Sequence, residues 1–179
     1  MRILGIDPGF ERLGIAVLEK VDKNDERPFD TAQGKEPFGF AQDKERVIFS
    51  ECFKTSAKLE FSERLNLIGQ EVRKIIKEYK PEVLAIETLF LNTNQKTVMR
   101  VAEARGVAVY EGAQAGLRIF EASPPQIKIA ITGYGRANKE QIMKMVKILV
   151  EIDNTKTSDD ELDAIAIALT AFAHIKSKK

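Results

Sequence analysis

The chain carries one cysteine, Cys52, and one histidine, His174. A lone cysteine excludes an internal disulfide and cannot build a thiolate metal site. A single histidine near the C-terminal end argues against a histidine-rich zinc centre. No segment approaches the ~18 consecutive apolar residues of a membrane span, and the N-terminus has no signal-peptide pattern, so a cytoplasmic location is the expectation. At 179 residues, 44% hydrophobic and 31% charged, the sequence predicts one soluble globular domain with a proper core.

Carboxylates at the ends of apolar runs are what the chain does have. Ile3-Leu4-Gly5-Ile6 stops at Asp7, and Val83-Leu84-Ala85-Ile86 stops at Glu87. Asp160 and Asp163 stand ahead of Ala164-Ile165-Ala166-Ile167-Ala168-Leu169, and their spacing of three puts them on one face of a helix. Acids gathered from distant segments repel one another and need a counter-charge, usually a hard divalent cation held by oxygen ligands. The pattern therefore points to a metal-dependent enzyme. With those four acids set aside, the formal charge of +1 becomes about +5 over the remaining surface. Such a surface suits a polyanionic substrate, although charge alone is equally that of a well-mixed soluble surface.

Strands are expected over Arg2–Asp7, Leu13–Leu18, Val47–Lys54, Val83–Glu87 and Ile119–Ala122. Leu65, Ile68, Val72, Ile75, Ile76 and Tyr79 recur at helical spacing, with Ser62 a candidate N-cap and Pro81 beyond the end. A helix is expected from Thr93 to a stop at Gly106, and a second through Val107–Leu117. Further helices follow over Gln126–Ile131, from an Asn138 cap with Gln141 through Val150, and over Asp160–His174. This order predicts an α/β fold, a mixed five-stranded sheet flanked by helices. Residues 22 to 46 stand apart: Pro28 to Glu36 is echoed by Pro37 to Glu45, with six of nine positions identical. Two short polar copies cannot build a repeat core, so the segment reads as a duplicated insertion, flexible and dispensable for chemistry.

Taken singly, each acid has a plain structural explanation. Asp7 suits a strand-to-turn cap, Glu87 a solvated strand end, and Asp160 and Asp163 a helix first turn favoured by its dipole. The coincidence over three segments is what those explanations leave over. Asp159 is an alternative to Asp160 on spacing, while Glu161 should point elsewhere. Gly5-Ile6-Asp7-Pro8-Gly9 also fits the phosphate-binding turn of actin-like ATPases, but those need two such domains to enclose a nucleotide.

The chain resembles the RuvC-type Holliday junction resolvases of the ribonuclease H-like superfamily. The resemblance rests on Gly5-Ile6-Asp7-Pro8-Gly9 with Gly14, Ala85-Ile86-Glu87 with Phe90, and Glu103-Ala104-Arg105-Gly106-Val107. It continues through Pro125-Gln126-Ile127-Lys128, Thr132-Gly133-Tyr134-Gly135-Arg136-Ala137, Lys139, and Asp160 with Asp163-Ala164. It spans nearly everything outside residues 22 to 46. The resemblance implies a ribonuclease H-like sheet and a homodimer that nicks two opposing strands of a four-way DNA junction, leaving a 5′-phosphate and a 3′-hydroxyl. By position, Asp7, Glu87, Asp160 and Asp163 match the catalytic and metal-binding acids. Some members of the family carry histidine at the Asp160 position. Phe90 matches a base-stacking aromatic, and Lys128 and Lys139 match basic residues facing the DNA backbone. Arg105 and Arg136 are further DNA-binding candidates. Mg²⁺, two ions per site, is the implied cofactor, with Mn²⁺ left open. A RuvA–RuvB-type branch-migration complex is the implied partner. The alternatives are a YqgF-like RNA-directed nuclease, favoured less by the Arg105-Gly106 and Gly133–Arg136 segments, and a catalytically silent junction-binding protein.

Overall fold

The structure is a computed structural model that describes residues 1–20, 45–89, 95–150, 152 and 157–175. Its strands are β1 (Arg2–Asp7), β2 (Arg12–Lys20), β3 (Glu45–Lys54), β4 (Val83–Glu87) and β5 (Arg118–Ala122). The helices are α1 (Phe61–Tyr79), α2 (Gln95–Gln114), α3 (Pro124–Thr132), α4 (Lys139–Leu149) and α5 (Asp159–His174). The sheet order is β3-β2-β1-β4-β5. The first three strands form an antiparallel meander, and β4 and β5 run parallel to β1.

Side chains alternate across a strand, and that alternation builds two cores. Leu4 and Ile6 of β1, Ile15 and Val17 of β2 and Leu84 and Ile86 of β4 pack under α1 and α2, against Ile68, Val72, Ile75, Ala104 and Ala108. Ile3, Ala16, Leu18, Val83 and Ala85 pack on the other face, against α3, α4 and the apolar length of α5. By the same parity Asp7 and Glu87 project on the α5 face, one step beyond Gly5 and Ala85.

Helix α5 lies unusually close to the sheet. A Cβ at Gly5 would sit 2.2 Å from the Ala164 carbonyl oxygen, and one at Gly14 would sit 2.1 Å from that of Asp160. Two missing side chains thus let the N-terminal half of α5, with its acids, settle on β1 and β2.

Three expectations need correction. Helix α1 is capped by Glu60, not Ser62: Glu63 in its first turn accepts a hydrogen bond from the Glu60 N–H at 2.9 Å. Gly106 does not stop a helix, because α2 runs unbroken through it to Gln114. Buried Ala104 and Ala108 hold both sides of Gly106 to the core, and one interior glycine costs only about 1 kcal/mol. The turn comes instead at Gly116, which adopts φ 75°. Glu45 and Arg46, placed within the insertion, belong to β3 and pair with Lys20 and Glu19. The remainder of the duplicated segment lies outside the described residues, as do Thr93 and Phe90.

Candidate active site

Parallel pairing of Ile6 with Ile86 sets the next residues, Asp7 and Glu87, side by side where the two strands end. Helix α5 supplies the third acid. Asp7, Glu87 and Asp163 line one cleft of about 150 Å³, with Lys128 and Pro124 from α3, Ile142 from α4 and Ala166 on its walls. Of the four acids expected to converge, Asp7, Glu87 and Asp163 line this cleft and Asp160 does not.

Burial and mutual repulsion make these carboxyls hard to ionise together. Asp7 is pushed up to about 7, first by burial and then by the charges of Asp163, Glu87 and Asp160, with Lys139 opposing. Glu87 is raised by burial and by Asp163. Burial also raises Asp163, against the lowering effect of its hydrogen bond to Lys139. Desolvation pulls the Lys139 ammonium down, but its contacts with Asp163 and Asp159 carry it above the ordinary lysine value.

Asp160 sits at the margin of this group. Its carboxylate accepts an ion pair from Arg12 at 2.5 Å and a hydrogen bond from the Cys52 Sγ at 3.3 Å. It does not line the cleft, yet its charge reaches Asp7. Asp159 is the more exposed of the two and meets Lys139 at 3.6 Å. Glu161 turns away as expected, accepting from the Ser158 N–H at 3.1 Å and the Ser50 hydroxyl at 2.7 Å.

The basic residues divide. Lys128 faces the cleft, and Lys139 reaches the Asp163 carboxylate at 3.1 Å. Arg136 is exposed in the turn before α4. Arg105 is engaged within the protein: its guanidinium donates to the Glu87 carbonyl at 3.0 Å and pairs with Glu121, bracing the end of β4. Phe90 lies outside the described residues. Sequence reasoning missed Arg12 and Cys52. Only the strand register brings Cys52 there: Cys52 of β3 pairs opposite Gly14, which pairs opposite Asp7.

The donor chemistry fits a hard divalent cation: oxygen ligands only, with an excess of buried negative charge. In this arrangement, among the described residues, no three potential ligands stand close enough to hold an ion. Lys139 pairs with Asp163, and Arg12 with Asp160.

A mixed sheet in the order found here, with acids at the ends of its first and fourth strands and on a covering helix, defines the ribonuclease H-like class. Residues 39–171 match the family described as crossover junction endodeoxyribonuclease RuvC. The chain belongs to that family. It is 40% identical over 169 residues to the crossover junction endodeoxyribonuclease RuvC of Halothermothrix orenii, covering 94% of this chain and 90% of that protein. Thermus thermophilus RuvC in complex with Holliday junction substrate superposes with a TM-score of 0.80 at 27% identity, covering 97% of this chain and 94% of that one. The yeast mitochondrial Holliday junction resolvase Ydc2 shares the fold at a TM-score of 0.63 and 14% identity, covering 94% and 76% of the two chains.

Proposed function

We propose that this protein is a metal-dependent endonuclease that resolves four-way DNA junctions by nicking two opposing strands symmetrically. The observation that carries the reading is the convergence of Asp7, Glu87 and Asp163, from three separate segments, on one cleft rimmed by Lys128. Membership of the RuvC family and the likeness to a relative solved with Holliday junction substrate support it.

Asp7, Glu87 and Asp163 would hold the cation, with Asp160 completing the set. Bound Mg²⁺, two ions per site in this reading, supplies Lewis acidity at the scissile phosphate and a nucleophilic water. The protein's part is to prepare that charge. Ile127, Ile142, Ala166 and Ile167 border the carboxyls with apolar surface and restrict water, which pushes the Asp7 carboxyl up toward about 7. Lys139 favours the ionised form of Asp163, against its burial, and holds it toward α4. Lys128 offers its ammonium to a phosphate entering the cleft, and Arg136 is exposed for the same kind of contact. Arg105 acts one step back, by fixing the Glu87 backbone. Phe90, following Glu87 and Thr88-Leu89, is assigned to stack on a base by its place in the sequence. The product carries a 5′-phosphate and a 3′-hydroxyl.

Symmetric nicking of a two-fold junction requires two sites related by a two-fold axis, so the working form is a homodimer. Residues 102–116 of α2 and its C-terminal turn are its candidate contact, with Tyr110 58% exposed there. A RuvA–RuvB-type complex is the expected branch-migration partner. Residues 24–43 are dispensable in this reading, and their deletion should leave folding and cleavage in place.

The test is cleavage of a mobile synthetic four-way junction with Mg²⁺, beside linear duplex and a single-stranded RNA. Paired symmetric nicks in the junction alone are expected. Cleavage of RNA but not the junction would move the assignment to an RNA-directed nuclease, and tight junction binding without cuts to a silent binding protein.

A further inference from the structure

Arg100, on the second turn of α2, is exposed and makes no ion pair among the described residues. Its guanidinium is nonetheless fixed in place. It lies 5.6 Å from the centre of the Phe10 ring and 5.3 Å from that of Phe61, and these two rings meet edge to face at 5.8 Å. Such stacking orients a guanidinium plane and leaves its N–H groups unused.

The platform itself is anchored. Phe10 follows Asp7-Pro8-Gly9 in the turn from β1 to β2. Its carbonyl accepts from the Thr55 hydroxyl at 2.6 Å and from Arg64 at 3.2 Å. Arg64 is only 4% exposed and lies 4.8 Å from the same ring. A buried arginine thus holds the aromatic turn, and the turn holds an exposed arginine.

Position supplies the ligand class. The turn leaves the strand that ends in Asp7, so Arg100 stands at the acidic end of the sheet, on its α1/α2 side. Lys128 and Lys139 flank the same end from the α3/α4 side. A nucleic-acid strand laid across the acids would meet cations on both sides, and a planar fork suits bidentate contact with a phosphate. We infer that Arg100, stacked on Phe10 and Phe61, is a binding residue for the phosphodiester backbone of the DNA whose cleavage is proposed above. The inference rests on that reading for its choice of nucleic acid.

The experiment measures equilibrium binding of fluorescent four-way junction and linear duplex over a salt series, in the Asp7→Asn background without divalent metal. Arg100→Gln and Arg100→Ala should weaken binding to both DNAs about three- to tenfold and flatten the slope of log affinity against log salt by about one. Arg100→Lys should keep the slope but not the full affinity, and Phe10→Leu should behave like it. Unchanged affinity and slope in both neutral variants, with melting temperatures like the parent's, would overturn the inference. So would a lowered melting temperature accounting for equal losses in all four variants. If the parent shows no preference for the junction over duplex, the function reading fails. The contribution of Arg100 is still read from the duplex slope.

Discussion

The Lys139 ammonium stands 3.1 Å from the Asp163 carboxylate and 3.6 Å from that of Asp159, so the first residue of α4 is tied to the first two turns of α5. A lysine at a helix N-terminus opposes the helix dipole, and here the acids of the neighbouring helix offset that cost. Lys139→Met should therefore destabilise the protein where the acids are ionised, despite removing an unfavourable helix-end charge. The folded pKa of Lys139 is raised, so its contribution is fully present below the ordinary lysine value and is lost only as pH rises through the folded one. From the acid side it fades as pH falls and Asp163, whose carboxyl is raised by burial, takes up its proton. Because the lysine is 56% exposed, the loss at pH 8 should be about 0.5–1 kcal/mol. Thermal melts at pH 8 and pH 5 check it. An equal loss at both would show that packing, not charge, holds the two helices there.

Asp7→Asn should separate the cost of the site from its use. The folded pKa of about 7 lies above the ordinary carboxyl value of 3.8, so the folded state binds this proton more tightly than the unfolded state. By linkage, ionised Asp7 destabilises the fold. The penalty is absent below the unfolded pKa, grows as pH rises toward 7 and is complete above it. Its upper bound is about 4 kcal/mol. Without divalent metal, the variant should be more stable than wild type at pH 8 by about 1–4 kcal/mol and indistinguishable near pH 4. It should still bind a four-way junction while losing cleavage. Urea midpoints across that pH range would reveal the trend, and a pH-independent difference would reject the electrostatic origin.

The positions of these acids were legible because apolar runs end abruptly at Asp7 and Glu87, and strand parity then fixes which face they share. Asp163 was legible through its spacing from Asp160 at the head of an apolar helix. What could not be read was the partner each acid takes. Asp160 is bound to Arg12 and Cys52 across the sheet edge, a contact set by the register of three strands and not by local sequence. Serine is a strong N-cap residue, which favours Ser62 in the sequence, yet Glu60 and Glu63 close the reciprocal pair two residues earlier. Gly106 was misread as a stop because local propensity cannot see the core on which Ala104 and Ala108 rest. Arg105 carries the family pattern in sequence, but only the structure places it against the backbone of Glu87.

Gly14 and Gly106 give opposite tests of one argument about space. A Cβ at Gly14 would meet the Asp160 carbonyl oxygen at 2.1 Å, its carbon at 2.8 Å and the Asp7 Cβ at 3.1 Å. The first two contacts are backbone, so α5 would have to lift off the sheet, taking Asp160 and Asp163 with it. Gly14→Ala should cost about 3 kcal/mol or more and remove cleavage even where the protein remains folded. At Gly106 nothing lies within 4 Å of the added atom, and α2 already runs through the position. Gly106→Ala should therefore stabilise by about 0.5–1 kcal/mol through helix propensity alone. Urea denaturation of the two variants beside wild type should move the midpoints in opposite directions. A Gly14→Ala midpoint equal to wild type would mean that α5 does not rest on β2 as closely as described, and the shared face of Asp7 and Asp163 would fall with it.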